Sequence, residues 1–305
     1  KIDLEPKIKE LEKTNKFLYK GYRTVLQRIR DEQHLSKLNN EISNLKSQLK
    51  EQREKIKDRI EELKGKNIEF TGGNGAAMRT LCIGAVFHKE KDIDKLIEYS
   101  IKSSQITHKI PLGFLGGLSV AYFVSLALNN EPIENWCKKL IKLVSSQKIK
   151  KYIDIENNSM IIDYNYFISL WNKYYELRFK NDKPIYTPSN KNLVYRTKFF
   201  YDFKMNYEER FEKTNIKQEY KSIGSTGVSC VLMAYDALLD SGDNWEKLIY
   251  YAMLHVGDSD TVGAVAGGLF GALYGMNNIP EHMLKYLEKK KELEKLAEDL
   301  YDKFN

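Results

Sequence analysis

The sequence predicts an all-α protein, with a helical body preceded by a long helical arm that carries a heptad pattern. Three observations carry this. Pro (6) and Gly (18) are sparse, while Lys, Glu, Leu and Ile dominate where a sheet would need alternating Val and Thr. From Tyr22 to Lys64 there is neither Gly nor Pro. Further on, apolar residues recur at helical spacing in one segment after another, and no internal repeat is visible.

Within the Gly- and Pro-free stretch, Leu35, Ile42, Leu49, Ile56 and Leu63 recur every seven residues. Leu38 and Leu45 interleave at the other heptad position, which turns polar at Gln52 and Arg59. This seam of about four heptads is the pattern of a helix that pairs with another helix. As one continuous helix, residues 34–66 would reach about 50 Å at ~1.5 Å per residue. Packing along the chain's own body is the alternative; the charged outer faces favour an arm that meets a helical partner or a second copy. On that reading, Leu45→Asp combined with Leu49→Asp abolishes association in light scattering while residues 71–305 stay folded. Association that survives both charges excludes the arm. Residues 1–66 hold 18 Lys and Arg against 12 Asp and Glu, so only +1 of the net +7 belongs to residues 67–305. Both signs are interleaved along the arm, so a solvated face is expected and nucleic acid is not.

The remainder reads as the body. A turn from Gly72 to Gly75 feeds an apolar helix from Ala76 to Phe87. Helical patterns follow at 91–105, 112–129, 133–147, 163–180, 227–240, 245–255, 261–275 and 281–303, and residues 182–222 read as a long irregular connection. No apolar stretch approaches the roughly 20 residues that cross a bilayer, so no membrane is expected. The first residues lack the apolar core of a secretion signal. Cys82, Cys137 and Cys230 show no Cys-x-x-Cys spacing, as expected of reduced thiols in a cytoplasmic protein. Lys at position 1 gives the expectation that the natural chain extends upstream.

Four segments could carry chemistry. In His255-Val256-Gly257-Asp258-Ser259-Asp260-Thr261, two carboxylates and a hydroxyl offer hard oxygen ligands in one turn, the donors that Mg²⁺ or Ca²⁺ requires. Asp-x-Asp pairs also cap helices. Beyond this turn, Gly263, Gly267, Gly271 and Gly275 recur every four residues, which predicts close approach by another helix. Thr71-Gly72-Gly73-Asn74-Gly75 precedes a helix start, where backbone N–H groups can receive a diphosphate; an ordinary loop is the alternative. Ile223-Gly224-Ser225-Thr226-Gly227 has the same character. His108, in Thr107-His108-Lys109-Ile110-Pro111, is expected to be a hydrogen-bonded structural histidine.

In this order, Asn74-Gly75-Ala76-Ala77-Met78-Arg79 with Cys82-Ile83-Gly84, then Thr107-His108 and Pro111, Met233-Ala234-Tyr235-Asp236-Ala237, and Gly257-Asp258-Ser259-Asp260-Thr261 resemble one family. It is that of the ADP-ribosylarginine hydrolases, which share a superfamily with the dinitrogenase-reductase-activating glycohydrolases. The resemblance runs from about Thr71 to Phe304, and Trp171, Tyr174 and Leu177-Arg178 fit the arginine-specific branch.

The resemblance implies an orthogonal helical bundle of the ADP-ribosylglycohydrolase type, with two Mg²⁺ ions at the floor of an ADP-ribose cleft and cleavage of the N-glycosidic bond to arginine. By position, Asp258, Asp260 and Thr261 would be metal ligands. Gly72, Gly73, Asn74, Gly75, Ser225, Thr226 and Gly227 would line ADP-ribose, and His108 would support the site without ligating. Gly21-Tyr22-Arg23-Thr24-Val25-Leu26 resembles the helix before the family's Gly-rich loop. Residues 1–33 would then be a partial N-terminal helical part of the fold, 34–66 a basic coiled-coil-like arm or insertion, and 67–305 the main domain. Two departures bear on activity. The family's Asp-Asp motif, which carries its other metal ligands and its candidate bases, has no counterpart in residues 1–305, so no catalytic base is assigned. Val228-Ser229 stands where arginine-specific relatives carry His-Asp. The sequence thus leaves two readings, a Mg²⁺-dependent hydrolase completed by an upstream segment, or a catalytically degenerate scaffold joined to partners by its arm.

Overall fold

The computed structural model describes residues 7, 9, 10, 12, 13, 40–44, 46–48, 50, 51, 54, 55, 72–154, 156–186, 192–201 and 222–304. The chain falls into two compact units, Lys1–Glu69 and Phe70–Asn305. In the first unit the described residues are helical. Lys46 Nζ donates to Glu12 Oε1 at 2.9 Å, and Lys55 pairs with Glu51 one turn away at 2.6 Å. Ile42 is half-buried. The other seam residues (Leu35, Leu38, Leu45, Leu49, Ile56 and Leu63), like residues 21–26, lie outside the described residues.

The second unit is helical, as the periodicity predicts. Its elements are α1 (Gly75–Arg79), α2 (Leu81–Val86), α3 (Ile93–Gln105), α4 (Pro111–Leu128), α5 (Trp136–Val144), α6 (Gln147–Lys150), α7 (Asn158–Arg178), the short strands β1 (Phe179–Lys180) and β2 (Lys183–Pro184), and α8 (residues 193–201). They are followed by α9 (Gly227–Ser241), α10 (Trp245–Met253), α11 (Ser259–Tyr274), α12 (Glu281–Leu284) and α13 (Lys290–Phe304). The body is built around α4. Helices α1, α2, α3, α5, α7, α9 and α11 all pack on it. Its apolar residues face every direction, as expected of a helix with no solvent side.

That helix corrects an expectation. At 18 residues, α4 is long and apolar enough to span a membrane, yet 89% of it is buried inside the body. Ser119, Tyr122 and Ser125 interrupt its apolar run and hide it from a count of consecutive apolar residues. Pro111 opens it at a first-turn position, where the missing N–H costs nothing.

Glycine contacts correct a second expectation. A Cβ on Gly263 would meet the Met253 side chain of α10 at 2.7 Å and one on Gly267 would lie 3.7 Å from Trp245 of the same helix, but one on Gly271 would meet nothing within 4 Å, so only the first half of the stripe faces another helix. Gly275 lies past the end of α11, with φ 69°. The close backbone approach lies elsewhere: a Cβ on Gly116 of α4 would sit 2.4 Å from the Gly227 carbonyl oxygen at the start of α9.

Three boundaries also differ from the expected ones. The helix expected over 76–87 breaks at Thr80, whose Oγ1 turns inward to donate to the Gly117 carbonyl at 2.8 Å. The pattern over 281–303 splits where Lys289 takes a left-handed φ of 56°. The connection expected to be irregular contains α8, and β1 and β2 form an antiparallel hairpin across Asn181 and Asp182, both at positive φ. All three cysteines are free.

Helix α8 is held by charge. Arg196 donates to Asp236 and Asp240 of α9 at 2.5 Å each, and Arg178 of α7 pairs with the same two carboxylates at 2.8 and 2.7 Å. Two guanidinium groups and two carboxylates thus alternate in a buried ring. Tyr174 Oη donates to Asp236 at 2.7 Å, and the Arg196 guanidinium lies 4.6 Å from the centre of the Tyr251 ring. Burial works against the Arg178 charge, but Asp236, Tyr174 and Asp240 outweigh it and hold the group above its ordinary value. Beside the ring, Phe123, Trp136, Trp171, Tyr174 and Tyr235 form an aromatic core with edge-on and tilted contacts.

Candidate functional site

Three segments far apart in sequence meet at the mouths of α1, α9 and α11. Gly227 N–H donates to the Gly72 carbonyl at 3.0 Å, and Gly73 bridges Thr226 in antiparallel fashion. Asn74 Nδ2 donates to the Gly224 carbonyl at 2.9 Å and to Asp258 Oδ2 at 2.6 Å. Asp258 N–H in turn donates to the Ile223 carbonyl at 2.8 Å. Gly224 has φ +82°, and a Cβ there would lie 2.9 Å from Val262. Only glycine takes that backbone form without strain.

Asp258 occupies the position before α11 where an Asp ordinarily caps, yet its side chain makes no capping hydrogen bond. Asn74 holds one of its oxygens instead. Asp260, two residues on, is exposed, and Thr261 is buried with its Oγ1 3.5 Å from Met78 Sδ. The Asp260 carboxyl is held below its ordinary value, first by a hydrogen bond shared with Asp258 and then by the backbone N–H groups of Thr261 and Asp260. The N-terminus of α11 adds its own partial positive charge.

The hydroxyls at α9 are already engaged. Thr226 Oγ1 accepts from Ser229 N–H at 3.1 Å, while Ser229 Oγ accepts from Thr226 N–H at 3.2 Å. Ser225 Oγ donates to the Ser222 carbonyl at 2.6 Å. The amides here are engaged too, Thr226 N–H by Ser229 Oγ and Gly227 N–H by the Gly72 carbonyl. Val228 is buried, and Ser229 is consumed by the cap.

His108 stands over the Gly-rich turn, with its Cε1 3.2 Å from where a Gly75 Cβ would be. Arg79 NH2 donates to Thr107 Oγ1 at 2.7 Å and to the Ser103 carbonyl at 2.7 Å. Thr107 Oγ1 shares a hydrogen bond of 2.7 Å with His108 Nδ1, and the Nε2 edge of the ring faces Gly75. Burial and then the Arg79 charge push the His108 imidazole down, which keeps it neutral. Burial does the same to His255, against the upward pull of the Ala252 carbonyl and Asp258.

The donors at the turn can be tested against the metal centre that the resemblance implies. Asp258, Asp260 and Thr261 are hard oxygen donors on adjoining turn positions, suited to one side of an octahedral Mg²⁺. Among the described residues no group of three or more His, Cys, Asp or Glu could hold a metal ion. The set fits part of one cation's shell and does not fit two. Trp171, Tyr174 and Arg178, which matched the arginine-specific branch, lie in the core and the charge ring, not at these loops.

Sequence reasoning found the Asp258–Thr261 turn and both Gly-rich loops, but not the link between them. Asn74 and Asp258 are 184 residues apart, and no spacing signals their hydrogen bond.

The pattern of the ADP-ribosylglycohydrolase family matches residues 13–305. The chain is similar to the ADP-ribosylhydrolase ARH1 of Dictyostelium discoideum, at 37% identity over 244 residues, covering 75% of this chain and 60% of that protein. It is also similar to a putative ADP-ribosyl glycohydrolase, L444, of Acanthamoeba polyphaga mimivirus, at 32% over 206 residues, covering 66% and 38%. The human ADP-ribosylhydrolase ARH3 is 27% identical over 236 residues, covering 76% and 58%. The chain thus spans 60% or less of the length of these relatives. A family match over nearly the whole chain, on an all-α body whose Gly-rich loops and Asp258 turn converge, means that this chain belongs to the ADP-ribosylglycohydrolase family.

Proposed function

We propose that the cleft formed by the Gly72–Gly75, Ile223–Gly227 and Gly257–Thr261 segments binds ADP-ribose attached to an arginine side chain, with one Mg²⁺ held at the turn. The observation that carries this is Asp258. It sits at the start of α11 without capping it, and Asn74 fixes its carboxylate beside Asp260 and Thr261. A carboxylate at a helix mouth that does not cap the helix, with a second carboxylate two residues on, is placed for a cation. When bound, the ion supplies positive charge at the ribose hydroxyls. Asn74 keeps Asp258 in place, and backbone N–H groups at the start of α1 meet the diphosphate. His108 keeps a neutral ring over Gly75.

Calorimetric titration of residues 1–305 with ADP-ribose tests the proposal. The expected affinity is roughly micromolar to millimolar and strengthens with Mg²⁺. No binding with or without Mg²⁺, from folded protein, would leave the scaffold reading alone, with the arm joining a larger cytoplasmic assembly. Hydrolysis of ADP-ribosylarginine by residues 1–305 is expected not to exceed that of Asp260→Asn. Two carboxylates leave half of the charge on two divalent ions unbalanced, and among the described residues no base is assigned to activate water. Release above that control sinks the expectation of inactivity.

A further inference from the structure

We infer that His255 is the positioning residue of the Asp258 turn: its ring ties the end of α10 to the amide that precedes Asp258, and so fixes where that carboxylate points. This rests on the reading of the turn as a cation site.

Gly257 N–H donates to His255 Nδ1 at 3.0 Å, and Nε2 lies 3.0 Å from the Ala252 carbonyl oxygen. An amide can only donate, so Nδ1 is the unprotonated nitrogen and Nε2 carries the proton that Ala252 accepts. Ala252 lies in the last turn of α10, where carbonyls lack intrahelical partners. One ring thus serves a helix end and a turn amide together.

Space around the turn is just as restrictive. A Cβ on Gly257 would lie 2.2 Å from the Ile223 carbonyl oxygen and 3.0 Å from His255 Nδ1. The next amide, Asp258 N–H, donates to that same Ile223 carbonyl at 2.8 Å. Val256 is 73% exposed, so apolar packing does not hold this stretch. With the backbone fixed at Gly257 and Asp258, the direction of the Asp258 Cα–Cβ bond is fixed. Asn74, at 2.6 Å, then sets only the rotation of the carboxylate. The ring makes the first of these settings and Asn74 the second.

Three variants of the full chain separate this role from simple filling of space. His255→Asn returns an oxygen acceptor near the Nδ1 position, so Gly257 N–H keeps its partner. His255→Gln reaches only the Nε2 position and serves Ala252. His255→Phe keeps the ring and neither polar contact. The readouts are Mg²⁺ affinity in the presence of ADP-ribose, hydrogen exchange at the Gly257 amide, and thermal melting. His255→Phe and His255→Gln are expected to weaken Mg²⁺ binding roughly ten- to a hundredfold, the range for residues that orient a ligand, and to speed Gly257 exchange. His255→Asn recovers both, whatever the order of the melting temperatures. Mg²⁺ affinity in His255→Phe equal to that of the unaltered chain, while Asp258→Ala loses it, overturns the inference. So does an Asn variant no better than the Gln variant. Mg²⁺ affinity unchanged in Asp258→Ala overturns the cation reading of the turn itself, which is a separate failure.

Discussion

Asp236→Ala is expected to destabilise the helical body by about 3–5 kcal/mol, the cost typical of removing one member of a buried ion pair. Asp236 is 3% exposed and holds Arg178 at 2.8 Å, Arg196 at 2.5 Å and the Tyr174 hydroxyl at 2.7 Å. Without it, two buried guanidinium groups face Asp240 alone and one buried hydroxyl loses its acceptor. The Arg196 stack on Tyr251 weakens as well, because the arginine no longer has a fixed position. Equilibrium denaturation reads the loss directly. A melt should fall by about 2–4 °C per kcal/mol for a body of this size. Lys148→Ala is the control: its pair with Asp94 has the same short distance, 2.6 Å, but lies in solvent, and the melt should not move. Replacing all four members of the ring by apolar residues of matching volume should recover most of the loss, because the penalty comes from unpaired buried charge. An Asp236→Ala melt as high as that of Lys148→Ala would show that the ring does not hold α8 to the body.

The second large effect is expected at the turn. Asp258→Ala combined with Asp260→Ala should remove the Mg²⁺ response of ADP-ribose binding entirely. The loss should exceed the roughly 10–100-fold cost of altering residues that merely orient a metal ligand. Thr261 is a single neutral donor and cannot offset a divalent charge. The metal-free double variant should still melt cooperatively, since Asp258 does not cap α11 and Asp260 is exposed. Calorimetry with and without Mg²⁺, together with a melt of each form, checks both halves. Retention of the Mg²⁺ response would place the cation elsewhere in the chain.

The sequence by itself determined the helical class and the position of the candidate turn. Helix periodicity is a local property, and it is readable in Trp245–Met253 or Gly227–Ser241 without knowledge of what covers them. Asp258, Asp260 and Thr261 were legible for the same reason, because their grouping at one helix start is set by three bonds of chain rather than by folding. Tertiary structure decided what those residues do. Asn74 reads in sequence as part of a phosphate loop, but in the fold it clamps Asp258 across 184 residues. Thr226 and Ser229 read as ligand hydroxyls or a lost motif, yet they close a cap on α9. The Gly263 stripe predicts a packing seam, which α10 fills at Gly263 and Gly267 alone, while the close backbone approach is at Gly116 and Gly227, which no shared spacing connects. Arg196 lay in a stretch that reads as irregular, and only the two carboxylates of α9 give its helix a reason to stay. Polar partners are chosen by distance in space, and a buried charge must find its opposite wherever the fold brings one; local pattern records the first turn of that choice and none of the pairing.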